Sequence, residues 1–112
     1  MKKFYITPAI DYTNDVPHIG HALEKIQADV FARYQRQKEK KTFFLTGTDE
    51  HGVKIERAAA LAGKSPKEFV DQNSKKFREL KKILDLSWDD FIRTSDQKRH
   101  WPGARKMWKE LV

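Results

Sequence analysis

Two short apolar runs, Phe4-Tyr5-Ile6 and Thr42-Phe43-Phe44-Leu45-Thr46, flank a long amphipathic stretch from Ile19 to Tyr34. That spacing constrains the chain more than any other feature. Strand, helix and strand over this distance form one right-handed crossover unit with parallel strands. The loops that follow the two strands then become neighbours at the carboxyl edge of the sheet, where open α/β sheets bind ligands. The first strand is expected over Lys3 to Thr7, with Pro8 as its stop. The second is apolar throughout, which predicts burial on both faces. In the helix, Ile19, Leu23, Ile26, Val30 and Tyr34 recur at helical spacing and predict a core-facing stripe. Glu24, Lys25, Arg33 and Arg36 are then expected to face water.

The first loop, Ala9 to Pro17, is rich in turn formers and leads into His18-Ile19-Gly20-His21 at the helix start. A helix N-terminus offers free N–H groups and partial positive charge to phosphate. Gly20 removes a side chain where a flat base can lie close to the backbone. His18 and His21 are three apart, point the same way, and can donate hydrogen bonds to charge that grows in phosphoryl chemistry. Tyr12 is a candidate wall for a small-molecule pocket, and Asn14 a candidate tie between loop and helix; a lid on the core and a turn cap are their plainer roles. The second loop, Gly47-Thr48-Asp49-Glu50-His51-Gly52, is polar and bracketed by glycines. The crossover brings Asp49 and His51 towards His18 and His21. Asp49 and Glu50 are adjacent and point apart, so they do not form the paired carboxylates of a hydrolase. Neither GxGxxG nor GxxxxGK[ST] occurs, so nucleotide binding has to run through the histidine loop.

Beyond the second loop, a helix is expected from Gly52 to Ala62, ended by Gly63. Ser65-Pro66-Lys67-Glu68 is a well-formed helix start, followed by the stripe Phe69, Val70, Phe77, Leu80 and Leu84. A loop surrounds Trp88, and Phe91 to Thr94 reads as a short extended segment. A last helix opens at Asp96 or Gln97, with Trp101, Ala104, Trp108 and Leu111 on its apolar side. The 112 residues suffice for one small domain. Lys and Arg (23) outnumber Asp and Glu (16), and the resulting net charge of +7 suits a polyanionic partner. Cysteine is absent, which excludes disulfides and a cysteine zinc knuckle within these residues. Among the four histidines, Gly20 and the anion-facing position of His18 and His21 favour phosphate over metal, and His100 lies elsewhere, so no metal site is expected. No apolar run approaches a membrane span, and a cytoplasmic protein without a membrane partner is expected.

The His-Ile-Gly-His motif after a strand and a turn-rich loop resembles the signature of class I aminoacyl-tRNA synthetases. Phe44-Leu45-Thr46-Gly47-Thr48-Asp49-Glu50-His51-Gly52 is similar to the second-strand loop of the methionyl-tRNA synthetase family. Tyr5-Ile6-Thr7, then Tyr12, Asn14 and Asp15 before Pro17-His18, resemble that family too, as does Asp89-Asp90-Phe91-Ile92-Arg93-Thr94. The resemblance covers nearly the whole chain in register. It implies the first half of a Rossmann-like (HUP-type) nucleotide-binding domain, with parallel strands and flanking helices. Residues 1–112 would be the N-terminal part of a longer catalytic domain: a β-α-β-α unit to about residue 63, then helices leading towards the connecting insertion. It implies methionine activation by ATP to methionyl-adenylate, then transfer to tRNA(Met). His18 and His21 would contact the ATP phosphates and serve catalysis, Gly20 would sit under the adenine, and Ile10, Tyr12 and Asp49 would hold methionine, Asp49 through its ammonium. Magnesium would accompany ATP, and any zinc would lie outside these residues. Asp11 departs from the family, which usually has an aromatic residue or proline there, and adds a negative charge near the pocket. The family's Lys-Met-Ser-Lys-Ser signature has no counterpart. A non-catalytic module that binds ATP, methionine or tRNA, and a small nucleotidyltransferase using the same histidine loop, are the alternatives.

Overall fold

The computed structural model describes all 112 residues. Its elements are β1 (Lys3–Ile6), β2 (Asp11–Tyr12), α1 (Ile19–Gln37), β3 (Lys41–Asp49), α2 (Val53–Leu61), α3 (Pro66–Ile83), β4 (Asp90–Arg93) and α4 (Trp101–Leu111). All strand pairing is parallel and runs through β3, which meets β1, β2 and β4. β1 and β2 pair with successive stretches of β3, Ile6 with Phe44 and Asp11 with Thr48. Thr48 is also matched to Arg93, so β2 and β4 flank the end of β3 on opposite edges.

β3 is longer than its apolar run. It continues through Gly47-Thr48-Asp49, which the sequence reading assigned to a loop, because these residues find partners in β2 and β4. Gly47 is therefore a strand residue opposite Ile92, and a Cβ there would lie 2.0 Å from the Ile92 carbonyl oxygen. Close approach of β4 is what requires glycine. Nor is β3 buried on both faces: Phe43 is 44% exposed and stacks on Tyr5 with ring centroids 6.1 Å apart.

α1 turns the opposite face from the one its apolar spacing predicts. Lys25, Ala28, Asp29 and Ala32 are buried, whereas Ile19, Leu23, Ile26, Val30 and Tyr34 are exposed. The small alanines let the helix settle close to β3, and Lys25 and Asp29 stay buried because each has a charged or hydrogen-bonding partner. Asp29 accepts from the Ser87 N–H at 2.6 Å and from Arg33 Nε at 2.6 Å. Arg36 reaches Asp89, whose carboxylate also accepts the Phe44 N–H at 2.7 Å. The far half of α1 thus clamps the segment leading into β4.

The core gathers Ala28, Ala32, Phe44, Phe77, Leu86, Trp88 and Phe91, with Ile6, Leu80 and Leu84 packed against it. α3 begins as expected: Ser65 Oγ accepts the Glu68 N–H and Glu68 Oε2 accepts the Ser65 N–H at 3.0 Å. Gly63, at φ +67°, ends the preceding helical turn in the left-handed region. α4 starts at Trp101, later than Asp96 or Gln97. The Asp96 carboxylate instead closes a turn, accepting the Lys98 and Arg99 N–H groups at 2.9 Å each. None of the α4 residues is buried. The molecule measures 48 × 39 × 19 Å with a radius of gyration of 15.7 Å. A compact chain of this length would give about 13 Å, so the sheet and its helices form an open slab.

Gly47→Ala should destabilise the fold by about 3 kcal/mol, the upper range for overpacking, read from the midpoint of urea unfolding. A loss below about 1 kcal/mol would mean that β4 slides aside without cost.

Candidate functional site

The start of α1 is built from its histidines. His18 is the cap residue, with extended backbone, and its Nδ1 accepts the Gly20 N–H at 3.0 Å. His21 Nδ1 accepts the His18 N–H at 3.1 Å, completing a reciprocal capping box made of two imidazoles. The rings lie 3.8 Å apart at 36°, and His21 meets the edge of Phe77 at 5.0 Å. A neutral imidazole that accepts at Nδ1 carries its proton on Nε2. Both histidines therefore keep an Nε2–H donor free of the cap. Gly20 is needed for this arrangement, since a Cβ there would lie 2.9 Å from His18 Cε1. Burial lowers the His21 pKa from its ordinary 6.5; Asp11 opposes the shift, while His18 and Lys25 add to it.

The second group sits at the strand ends. Tyr12 on β2 is matched to Asp49 on β3, and the Asp49 carbonyl accepts the Thr13 N–H at 3.1 Å. The Tyr12 hydroxyl donates to the His51 carbonyl at 2.8 Å, lying across the chain as it leaves β3. Gly52, at φ +122°, lets that chain pass beneath it: a Cβ there would fall 2.3 Å from the Tyr12 oxygen. The Asp49 carboxylate accepts from the Thr94 hydroxyl at 3.3 Å. Ile10 precedes β2 and is 47% exposed. His51 is exposed, its Nε2 3.3 Å from the Thr94 carbonyl. No direct hydrogen bond joins Asp49 to either histidine of α1; the link between the two groups is Asp11, beside Tyr12 on β2.

Asp11 and Lys25 form the pairing that sequence reasoning missed. Lys25 is fully buried, not turned to water, and its ammonium donates to the Asp11 carboxylate, itself 3% exposed. The charge that Asp11 brings is thus met by a cation one turn beyond His21. The usable signal was the spacing of Lys25 four residues after His21, on the same helical face. A second missed cluster surrounds Glu50, which points away from Asp49, as adjacent residues should. Arg93 Nε and Nη2 grip the Glu50 carboxylate at 2.7–2.9 Å, Ser95 donates to it at 2.9 Å, and Arg93 also reaches Asp71 on α3. These carboxylates hold the Arg93 guanidinium well above its ordinary pKa, hydrogen bonding to Glu50 most of all. A cleft of about 440 Å³ opens beside this cluster, between His51, Lys67 and Trp101. None of His18, Gly20, His21, Ile10, Tyr12 or Asp49 lines it. No three His, Asp or Glu side chains gather as a metal ligand set.

A parallel strand–helix–strand unit with a histidine-capped helix start beside its strand ends defines an α/β domain of the Rossmann-like kind. Residues 4–112 match the family profile described as tRNA synthetases class I (M). The chain belongs to that family. It is 46% identical over 111 residues to a methionine–tRNA ligase of Brucella suis, covering 99% of this chain and 21% of that protein. A Rhizobium meliloti methionine–tRNA ligase is 48% identical over 108 residues, covering 96% of this chain and 21% of the relative. Among solved structures, Mycobacterium tuberculosis methionyl-tRNA synthetase in complex with methionyl-adenylate superposes with a TM-score of 0.94 at 43% identity. That match covers 97% of this chain and 21% of the solved one. The chain thus spans about a fifth of the length of the relatives it matches.

The lowered His21 pKa carries a stability consequence with a definite sign. Between the folded value and the unfolded 6.5, the unfolded chain binds more protons, so stability rises with pH. The contribution is complete above about pH 6.5 and is lost as pH falls below it. Urea unfolding at a series of pH values from about 7.5 to 5.5 should show this loss, and His21→Asn should flatten the slope. An unchanged slope in the variant would place the titration elsewhere.

Proposed function

We propose that these residues form the ATP- and methionine-facing part of a methionine–tRNA ligase, which activates methionine and then charges tRNA(Met). The observation that carries the reading is the pairing of free Nε2–H donors at the start of α1 with the Tyr12–Asp49 register at the neighbouring strand ends. The relative solved with methionyl-adenylate bound, nearly superposable over this region, supports it.

In this reading a methionine carboxylate oxygen attacks the α-phosphorus of ATP. A new O–P bond forms, the bond to the β-bridging oxygen breaks, and pyrophosphate leaves with the electron pair. His18 and His21 donate from Nε2 to the phosphate oxygens as charge shifts onto them, and the helix N-terminus adds its own field. Gly20 keeps the helix start low enough for the adenine. Asp49 accepts from the methionine ammonium, and Ile10 and Tyr12 supply the apolar and aromatic wall for the thioether. Little covalent work falls to the protein, because positioning and electrostatics carry phosphoryl transfer. The carboxylates present are not gathered into a magnesium site, so magnesium would arrive on the ATP phosphates.

Methionine-dependent exchange of pyrophosphate into ATP, followed in the complete gene product, tests the reading. His21→Ala should lower the exchange rate by on the order of 10²-fold while methionine binding changes little. Equal loss of both would remove the phosphate role. Asp49→Ala should weaken methionine binding by about 10- to 100-fold, the range for a hydrogen bond to a charged group, and unchanged affinity would sink its assignment. A protein that binds both ligands without exchange would be the non-catalytic module.

A further inference from the structure

The Asp11–Lys25 pair has a cost that packing alone does not explain. Two opposite charges are withdrawn from water, Lys25 with no exposure and Asp11 with 3%. Well-packed apolar residues in such positions are often as stabilising or more so. The pair stands at the one place where both halves of the site meet. Asp11 lies on β2 between Ile10 and Tyr12, and is paired through its backbone with Thr48, next to Asp49. Lys25 lies on α1, one turn past His21, with its ammonium 5.8 Å from the Phe77 ring that His21 meets edge-on. Thr48 is itself fixed to α3 by the Ser74 hydroxyl at 3.0 Å, and Asn73 donates to the Thr13 carbonyl at 2.9 Å. β2 therefore cannot drift relative to α3, and Lys25 transmits that fixed position to α1.

We propose that Asp11 and Lys25 are a positioning pair for adenylation, locking the helix that carries His18 and His21 at a set place relative to Ile10, Tyr12 and Asp49. The inference rests on the ligase reading of the same site. It assigns the pair no contact with substrate. The groups that face His21 are Asp11 from β2 and His18, Glu24 and Lys25 from its own helix, while α3 presents the uncharged Phe77. With both Asp11 and Lys25 in place their fields on the imidazole oppose each other. Removing Lys25 alone takes away a charge that lowers the His21 pKa and leaves the raising effect of Asp11 without that counterweight.

The test uses the complete gene product and measures methionine-dependent ATP–pyrophosphate exchange against pH, with melting temperatures alongside. Three proteins are compared: wild type, Lys25→Met, and Asp11→Leu combined with Lys25→Met. The double variant keeps the branched outline of Asp11 and most of the unbranched length of Lys25 while removing both charges, and its melting temperature reports whether the buried site accepts the change. Its kcat should fall by on the order of 10²-fold, the effect of a small misplacement of reacting groups, with KM for methionine and ATP within about threefold. Lys25→Met should move the acid limb of the kcat profile to higher pH, and the double variant should return that limb towards wild type. A double variant with normal melting and normal kcat would overturn the inference and leave the pair a packing feature. An acid limb that Lys25→Met does not move would overturn it as well. A wild-type protein without exchange activity would overturn the ligase reading and this inference together, which separates the two failures.

Discussion

Double-sided pairing of the end of β3 is the constraint on which the rest of this structure depends. Thr48 is matched to Asp11 on one edge and to Arg93 on the other, and its hydroxyl meets Ser74 of α3. One residue thereby brings the loop after β1, the end of β4 and the middle of α3 to a common point. Asp49 follows directly and inherits that placement. So does Glu50, whose carboxylate is buried only because Arg93, delivered by β4, covers it. Without the pairing, Gly47 to Gly52 would be the flexible loop that its composition suggests.

The four helices and the strands β1, β3 and β4 are legible in order because strand length, turn residues and caps are local properties. β2, by contrast, lies inside the stretch expected as a loop from Ala9 to Pro17 and forms only because β3 offers it an edge. Ser65 and Glu68 cap α3 as their spacing requires, and Gly63 takes the left-handed turn that ends the helix before it. The sequence reading failed on the facing of α1 for a physical reason. Hydrophobic periodicity finds the most apolar stripe, but the helix surface that can approach a sheet closely is the one with small side chains. Ala28 and Ala32 occupy that surface, and Lys25 and Asp29 share it only because Asp11, Ser87 and Arg33 satisfy them. Arg33 is a local partner four residues from Asp29, but Asp11 and Ser87 lie 14 and 58 residues from the side chains they satisfy and leave no trace in a local window. The outward row from Ile19 to Tyr34 is the larger apolar surface, yet in this structure it contributes nothing to the core.

The candidate site was more legible than the core. His18, Gly20 and His21 stand at the helix start where the motif implies, and Tyr12 and Asp49 come into register across β2 and β3. The first three positions follow from a motif at a predictable helix start, whereas Tyr12 and Asp49 were expected in loops and are strand residues. What the sequence withheld was the wiring beneath: the Lys25–Asp11 pair and the Glu50–Arg93–Asp71 cluster join segments far apart in the chain. Their members read as ordinary surface charges. Only the folded geometry reveals that Asp11, Lys25 and Glu50 are buried, with Arg93 and Asp71 half-buried beside Glu50.

The two histidines cap their own helix, and that sharpens what the glycine between them is for. The proposed role at phosphate would by itself require no contact between His18 and His21. Here their Nδ1 atoms cap the helix, so the same hydrogen bonds that satisfy backbone N–H groups fix each neutral ring with Nε2–H outward. The cap is thus also a tautomer lock. It requires the His18 ring to fold back over residue 20, where a Cβ would stand 2.9 Å from it. Glycine at that position therefore serves the geometry of the donors before it serves any base lying above. Capping, tautomer and access are three demands on four residues, and His-Ile-Gly-His meets all of them at the point where Asp11 and Lys25 hold the helix to the sheet.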